Sequence, residues 1–144
     1  MHVRSDVERK RLFGVTPEEK LPDQAYAAAV SDEVYAICRK RARLALRAGR
    51  TVIVDAVHAR PDERAAVAAV AAEAGVPFTG LWLDAPREVM RARIAARRGD
   101  ASDATPSVVD EQLGYDIGAQ SFVVIDAGAP LERVAERARQ SIGG

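Results

Sequence analysis

Acidic residues recur in this sequence right after short apolar runs, and after Asp6 an arginine follows about one helical turn further on. Asp6 stands in Arg4-Ser5-Asp6-Val7-Glu8-Arg9-Lys10. Asp55 ends TVIVD (51–55), Asp84 ends FTGLWLD (78–84) and Asp126 ends FVVID (122–126). A carboxylate placed after a strand can take the proton of a hydroxyl, and an arginine a turn later can hold a phosphate or carboxylate. Asp6 and Arg9 have that spacing. The plainer alternative is that Asp6 caps a helix and Arg9 lies solvated on its surface. Asp55 follows the most apolar run, where an acid can hold a Mg²⁺-bound water or orient a substrate. An N-cap or a loop hydrogen bond is the alternative there. His58 follows closely in DAVHARP and is either a substrate contact or a structural histidine. Asp84 and Asp126 read as structural.

The segment 87–98 holds Arg87, Arg91, Arg93, Arg97 and Arg98. At about 100° per residue, Val89, Met90 and Ile94 define its apolar face. Arg93 and Arg97 project from the middle of that face, with Arg87, Arg91 and Arg98 beside it. Arginines that point inward need an anion, because an unpaired buried charge costs several kcal/mol. The anion is a phosphate on a functional reading, or a strand-end aspartate on a structural one.

Alternating short apolar runs and longer helical stretches must position these residues. The pattern predicts an α/β domain over 1–144 with a mainly parallel sheet. Residues 2–5 read as a short apolar edge and 6–13 as a helix. Gly14, Pro17 and Pro22 punctuate a loop. A long helix over 24–48 ends at Gly49, with Val30, Val34, Ile37, Leu44, Ala45 and Ala48 on its inner face. Arg41 lies within that stripe and reads as snorkelling to the surface. Strands follow at 51–55, 78–84 and 122–126. Helices follow at 61–74, 86–98, near 107–115 and 130–142. The helix over 61–74 has Val67, Val70, Ala71 and Ala74 as its inner stripe. Three strands ending in Asp place a ligand crevice at the carboxyl edge of the sheet. Trp82 reads as core.

Composition excludes several classes. The chain has 144 residues, with 21 Lys+Arg against 21 Asp+Glu. A net charge of zero excludes holding nucleic acid or a lipid surface by bulk charge. The first fifty residues carry 11 basic and 7 acidic side chains, a local excess suited to a small anion at most. One cysteine, Cys38, excludes an internal disulfide framework. With only His2 and His58 besides, a structural metal is not expected. No apolar run reaches membrane-spanning length and no signal peptide opens the chain, so a cytoplasmic protein without a membrane partner is expected.

RSDVERKRLFG (4–14), TVIVDAVHARPDERAAV (51–67) and LWLDAPREVMRARIAARRGDASDAT (81–105) together resemble the P-loop small-molecule kinases of the zeta-toxin and polynucleotide-kinase type. The nearest likeness is to the kinase-like ATPase domain found C-terminal to aminoglycoside-phosphotransferase-like domains. It runs over nearly the whole chain. The resemblance implies a three-layer parallel sheet, ATP and Mg²⁺, and a small hydroxylated substrate. It implies that Asp6 is the base for the acceptor hydroxyl, that Arg9 binds the acceptor, and that Asp55 lies near Mg²⁺ with His58 close by. It further implies that Arg93 and Arg97, from a lid near 87–115, touch the transferring phosphate.

Against the resemblance, no Gly-x-x-x-x-Gly-Lys-Ser/Thr loop occurs in the sequence, and Lys10, Lys20 and Lys40 lie in other contexts. The expected fold therefore lacks the first strand, the P-loop and the first helix, with Met1 read as an internal start. The expected consequence is a phosphotransferase domain inactive alone, or else a non-catalytic remnant that binds an anion or a partner. Sheet edges bared by a missing central strand would be covered by strand rearrangement or by a homodimer. A haloacid-dehalogenase-type phosphatase is disfavoured, because Val57 stands where its second acid is needed.

Overall fold

The computed structural model describes residues 1–97 and 99–143. Arg98 therefore lies outside the described residues. The elements run β1 (His2–Arg4), α1 (Ser5–Leu12), a 3₁₀ turn (Asp23–Tyr26), α2 (Ala28–Arg47), β2 (Ile53–Asp55), α3 (Pro61–Glu73), β3 (Leu81–Asp84), α4 (Arg87–Ala96), α5 (Pro106–Leu113), β4 (Val123–Asp126) and α6 (Leu131–Ile142). Helices and parallel strands alternate, as the apolar pattern predicts.

Among the described residues the strands form two separate parallel pairs in place of one sheet. β1 pairs with β2, with Arg4 opposite Asp55, and β3 pairs with β4, with Asp84 opposite Asp126. Parallel strands are ordinarily covered on both faces. Here Ile53 is 62% exposed, Leu83 60% and Val124 54%. The strand residues are apolar enough for a buried sheet, yet among the described residues neither β2 nor β3 has a neighbour on its other edge.

Packing is best developed around the first pair. Val3, Val34 and Cys38 are buried together, and Val30, Tyr35, Val52 and Val54 pack against them. Burial pushes the Cys38 thiol up to about 11, so this cysteine is a small core residue and not a nucleophile. The buried seam of α2 is Val34, Cys38, Ala42 and Ala45. Leu44, expected inside, is exposed and borders a shallow apolar hollow with Met1 and Ala48. The small side chains of the seam let neighbouring elements approach closely, and Leu44 falls beside that contact. Arg41 does not simply snorkel, because its Nε lies 2.7 Å from the buried Glu8 carboxylate. The long helix expected over 24–48 is broken at Ala27, whose ψ of 150° is extended. The Ala25 carbonyl accepts a hydrogen bond from Arg9 Nη1 at 2.6 Å instead of serving a helical N–H.

The helix α3 begins with Pro61, and Glu63 Oε2 accepts the Arg60 N–H at 3.0 Å. Its inner stripe is Arg64, Val67, Val70 and Ala71, while Ala74 is exposed. Arg64 is 1% exposed. Its Nη1 donates to the His58 and Ala59 carbonyls at 3.0 and 2.6 Å. Its Nη2 donates to the Ile117 and Ala119 carbonyls at 2.5 and 3.1 Å. The guanidinium also lies over the Trp82 ring, 5.8 Å from its centroid. One buried side chain therefore joins the loop after β2 to β3 and to the segment before β4.

Removing it leaves four carbonyls without this donor in a poorly hydrated place. Arg64→Ala is expected to cost about 3 kcal/mol, read as a lower urea midpoint. Arg64→Lys should restore little of it, because one ammonium cannot reach both pairs of carbonyls.

Candidate active site

The register of β1 on β2 builds the site. Arg4 ends β1 opposite Asp55, and Ser5 begins α1 directly, so Asp6 lies in the first helical turn at the carboxyl edge of the pair. Arg4 Nε lies 3.5 Å from Asp55 Oδ2, and Arg4 Nη2 donates to Asp100 Oδ1 at 2.6 Å. His2 Nε2 also lies 3.5 Å from Asp55 Oδ2. Asp6 is half-buried among Arg4, Arg9 and Asp55. Burial pushes its carboxyl above the ordinary range. A hydrogen bond from Ser102 and the charge on Arg4 pull the other way. A carboxylate short of solvation is a stronger base than an exposed one.

The other sequence candidates divide. Arg9 is not an open anion clamp. It is 6% exposed, donates to the Ala25 carbonyl and to Ser31 Oγ at 3.3 Å, and stacks on Tyr26 at 4.8 Å. It fastens the entry to α2, and only its field reaches Asp6. His58 is 8% exposed with φ +45°, a left-handed conformation costly for a side-chain-bearing residue. Its ring lies 5.3 Å from that of Tyr35, and among the described residues neither ring nitrogen has a hydrogen-bond partner. Burial, with the charges of Arg39 and Arg64 close by, lowers its pKa and keeps the imidazole neutral.

The inward phase expected for the α4 arginines does not occur. No residue of α4 is buried, and Arg93 and Arg97 are both exposed. Helix α4 packs against α5, and that contact leaves its arginines at the surface. Arg87 Nε donates to Asp110 Oδ1 at 2.8 Å, and Arg91 Nη1 donates to Asp110 Oδ2. Arg93 Nη1 donates to the Ala127 carbonyl at 2.6 Å, at the end of β4. Arg97 Nε lies 3.6 Å from Asp100, which links it through Arg4 to the Asp6 and Asp55 site. Arg97 thus joins the site and Arg93 sits at the other strand pair.

The polar loop 99–105 docks on β1 and α1, a placement that no sequence signal indicated. Lys10, 1% exposed, donates to both Asp103 oxygens at 2.7 and 2.8 Å. Asp103 also accepts from the Tyr26 hydroxyl at 2.6 Å and the Leu21 N–H at 3.0 Å. Burial pushes the Asp103 carboxyl up, but these hydrogen bonds outweigh it and hold the group below the ordinary range. The acids of GDASDAT were visible in the sequence, but partners 93 and 96 residues away leave no periodic trace.

The residues fit Mg²⁺ poorly on their own. The carboxylate of Asp55 faces two basic side chains, and no group of three or more His, Cys, Asp or Glu is placed to hold a metal among the described residues.

Two carboxylates in one site titrate in opposite senses. Asp6, raised in the fold, contributes stability that is full below the ordinary carboxylate pKa and lost as pH rises through its folded value. Asp6→Asn should therefore be more stable than the native chain at pH 7, with the difference closing as pH falls below about 4. Asp103, lowered in the fold, contributes stability above the ordinary pKa that is lost as pH falls through its folded value. Asp103→Asn should cost about 3 kcal/mol at pH 7 and flatten the acid limb. Denaturant midpoints across pH check both.

A family profile described as an AAA domain matches residues 1–115. An uncharacterized protein of Mycobacterium bovis and uncharacterized proteins of two Mycobacterium tuberculosis strains are each 32% identical to this chain over 139 residues. The match covers 91% of this chain and 27% of each relative, so the chain spans about a quarter of their length. No described helix is long and apolar enough to cross a membrane.

Proposed function

This chain belongs to the AAA domain family, and on that premise we propose that it forms the acceptor and lid part of an ATP-dependent phosphotransferase acting on a small hydroxylated molecule. The observation that carries the reading is the half-buried Asp6 carboxylate, set between Arg4 and Arg9 and beside Asp55. In the proposed reaction Asp6 takes the proton of the acceptor hydroxyl as that oxygen is phosphorylated. Arg4 and Arg97 supply positive potential at the same edge. His58, whose two nitrogens lack protein partners, contacts the acceptor. Asp55 orients it. Arg93 belongs to the lid.

The family's nucleotide chemistry needs a glycine-rich cradle for phosphates, and none of these residues spells one. We place that cradle on polypeptide outside these residues, with its strand seated between β2 and β3. The bare apolar side chains of Ile53 on β2 and Leu83 on β3 support this placement. So does Arg64, which spans from one strand pair to the other. Pairing of those edges between two copies is the other way to cover them, and it would appear as a dimer in light scattering.

One observation favours a second reading, a non-catalytic remnant that binds an anion or a partner. The four described arginines of the lid candidate set are already engaged, Arg87 and Arg91 by Asp110, Arg93 by Ala127 and Arg97 by Asp100.

Calorimetry with MgATP should show no micromolar binding by this chain alone, and such binding would overturn the divided site. In a longer protein carrying this sequence, Asp6→Asn should slow phosphoryl transfer about 10²- to 10⁴-fold. Unchanged turnover would remove Asp6 as the base, and absence of any turnover in the native protein would favour the remnant.

A further inference from the structure

The left-handed backbone at His58 is fastened on its carbonyl side. Arg64 Nη1 donates to the His58 and Ala59 carbonyls at 3.0 and 2.6 Å, so the two peptides that follow the φ of +45° converge on one buried nitrogen. A backbone conformation that costs energy persists only where its surroundings over-determine it. The imidazole gives no such hold, because among the described residues neither of its nitrogens has a hydrogen-bond partner. Its ring rests against Tyr35.

The other half of the same guanidinium grips the chain elsewhere. Arg64 Nη2 donates to the Ile117 and Ala119 carbonyls, which flank Gly118. Gly118 has φ +56°, and a Cβ there would lie 2.8 Å from Pro61 Cγ. The segment 117–119 is therefore seated directly on the first turn of α3. It follows α5 closely in the chain. Helix α5 is in turn clasped to α4, because Asp110 takes both Arg87 and Arg91. A guanidinium is rigid and planar, so its two Nη atoms cannot move independently.

We propose that Arg64 is a positioning residue for the acceptor site: it sets the seat of His58 according to where the segment 117–119 lies, and so couples the acceptor contact to the lid formed by α4 and α5. The inference rests on His58 being an acceptor contact. Arg64 acts through the backbone of His58 and touches no acceptor itself. Coupling of this kind is reciprocal, so an acceptor held on His58 steadies the lid as much as the lid steadies His58.

Gly118→Ala tests the tie from its far end. The added Cβ meets Pro61 and is strained at φ +56°, so the segment must lift from α3 and draw its carbonyls away from Arg64. The readout is the pH titration of the His58 ring by NMR. The charged groups bearing on that ring are Asp55 from β2, Arg39 from α2 and Arg64 from α3, with Tyr35 of α2 packed against it. Gly118→Ala keeps all of them, so a shift must come from altered seating. In the native chain burial holds the His58 midpoint below the ordinary value of about 6.5. In Gly118→Ala it should rise towards that value by at least about half a pH unit, roughly three-fold in proton affinity. Arg64→Lys, which keeps the charge but not the fork, should shift it in the same direction. Native-like amide spectra verify the fold of both variants. A folded Gly118→Ala or Arg64→Lys chain with the native His58 midpoint overturns the proposal. The titration needs no nucleotide and no acceptor. Loss of phosphoryl transfer in Asp6→Asn of the longer protein, together with an unchanged His58 midpoint in Gly118→Ala, would therefore reject the tie and keep the proposed reaction.

Discussion

Arg64 is the constraint on which this fold depends. The two strand pairs share no ladder, so the usual means of joining one edge of a sheet to the other is not available among the described residues. A buried guanidinium that donates to carbonyls at 58 and 59 on one side and 117 and 119 on the other takes over that task. Arginine suits it, because its planar fork presents several donors at fixed angles and cannot be neutralised. The Lys10 and Asp103 pair makes a second tie between the same halves. Both ties are polar and both are buried, so each makes the arrangement specific by leaving expensive unpaired groups if it is broken.

The site lies where these ties draw the chain together. β1 and β2 set Arg4 against Asp55, α1 begins at once and turns Asp6 into the same space, and the tethered loop brings Asp100 and Ser102 over it. The result is a carboxylate kept partly out of water with cations nearby but, among the described residues, no dedicated ion-pair partner. Such a group costs stability at neutral pH. A strained His58 with two unsatisfied nitrogens stands on the same edge and adds to that cost. Local rules fail at both residues, which is the pattern expected of a functional site.

The sequence's legibility follows physical range. Apolar alternation and helical periodicity are local, so the strands at β2, β3 and β4 and the helices that follow them were readable, each within a few residues. The strand-end acids were readable for the same reason, and Asp6 and Asp55 do meet at one edge. Interactions between distant residues were not. Arg64 sits on the apolar stripe of α3 with no local hint that carbonyls 53 and 55 residues away await it. The break at Ala27 depends on Arg9 taking the Ala25 carbonyl, 16 residues off. The inward phase of Arg93 and Arg97 failed because phase shows which face of a helix is apolar, but not whether anything packs on it. The division of the sheet has the same origin, since apolar strands read as buried whether or not a neighbour is present.

The proposed role of Asp6 rests on a carboxylate that is partly desolvated in the fold. A pH titration of the side-chain carboxyl carbons by NMR measures this directly. The Asp6 midpoint is expected above the ordinary aspartate value of about 3.9, with that of Asp103 below it in the same spectra. An Asp6 midpoint at or below that ordinary value would contradict the claim.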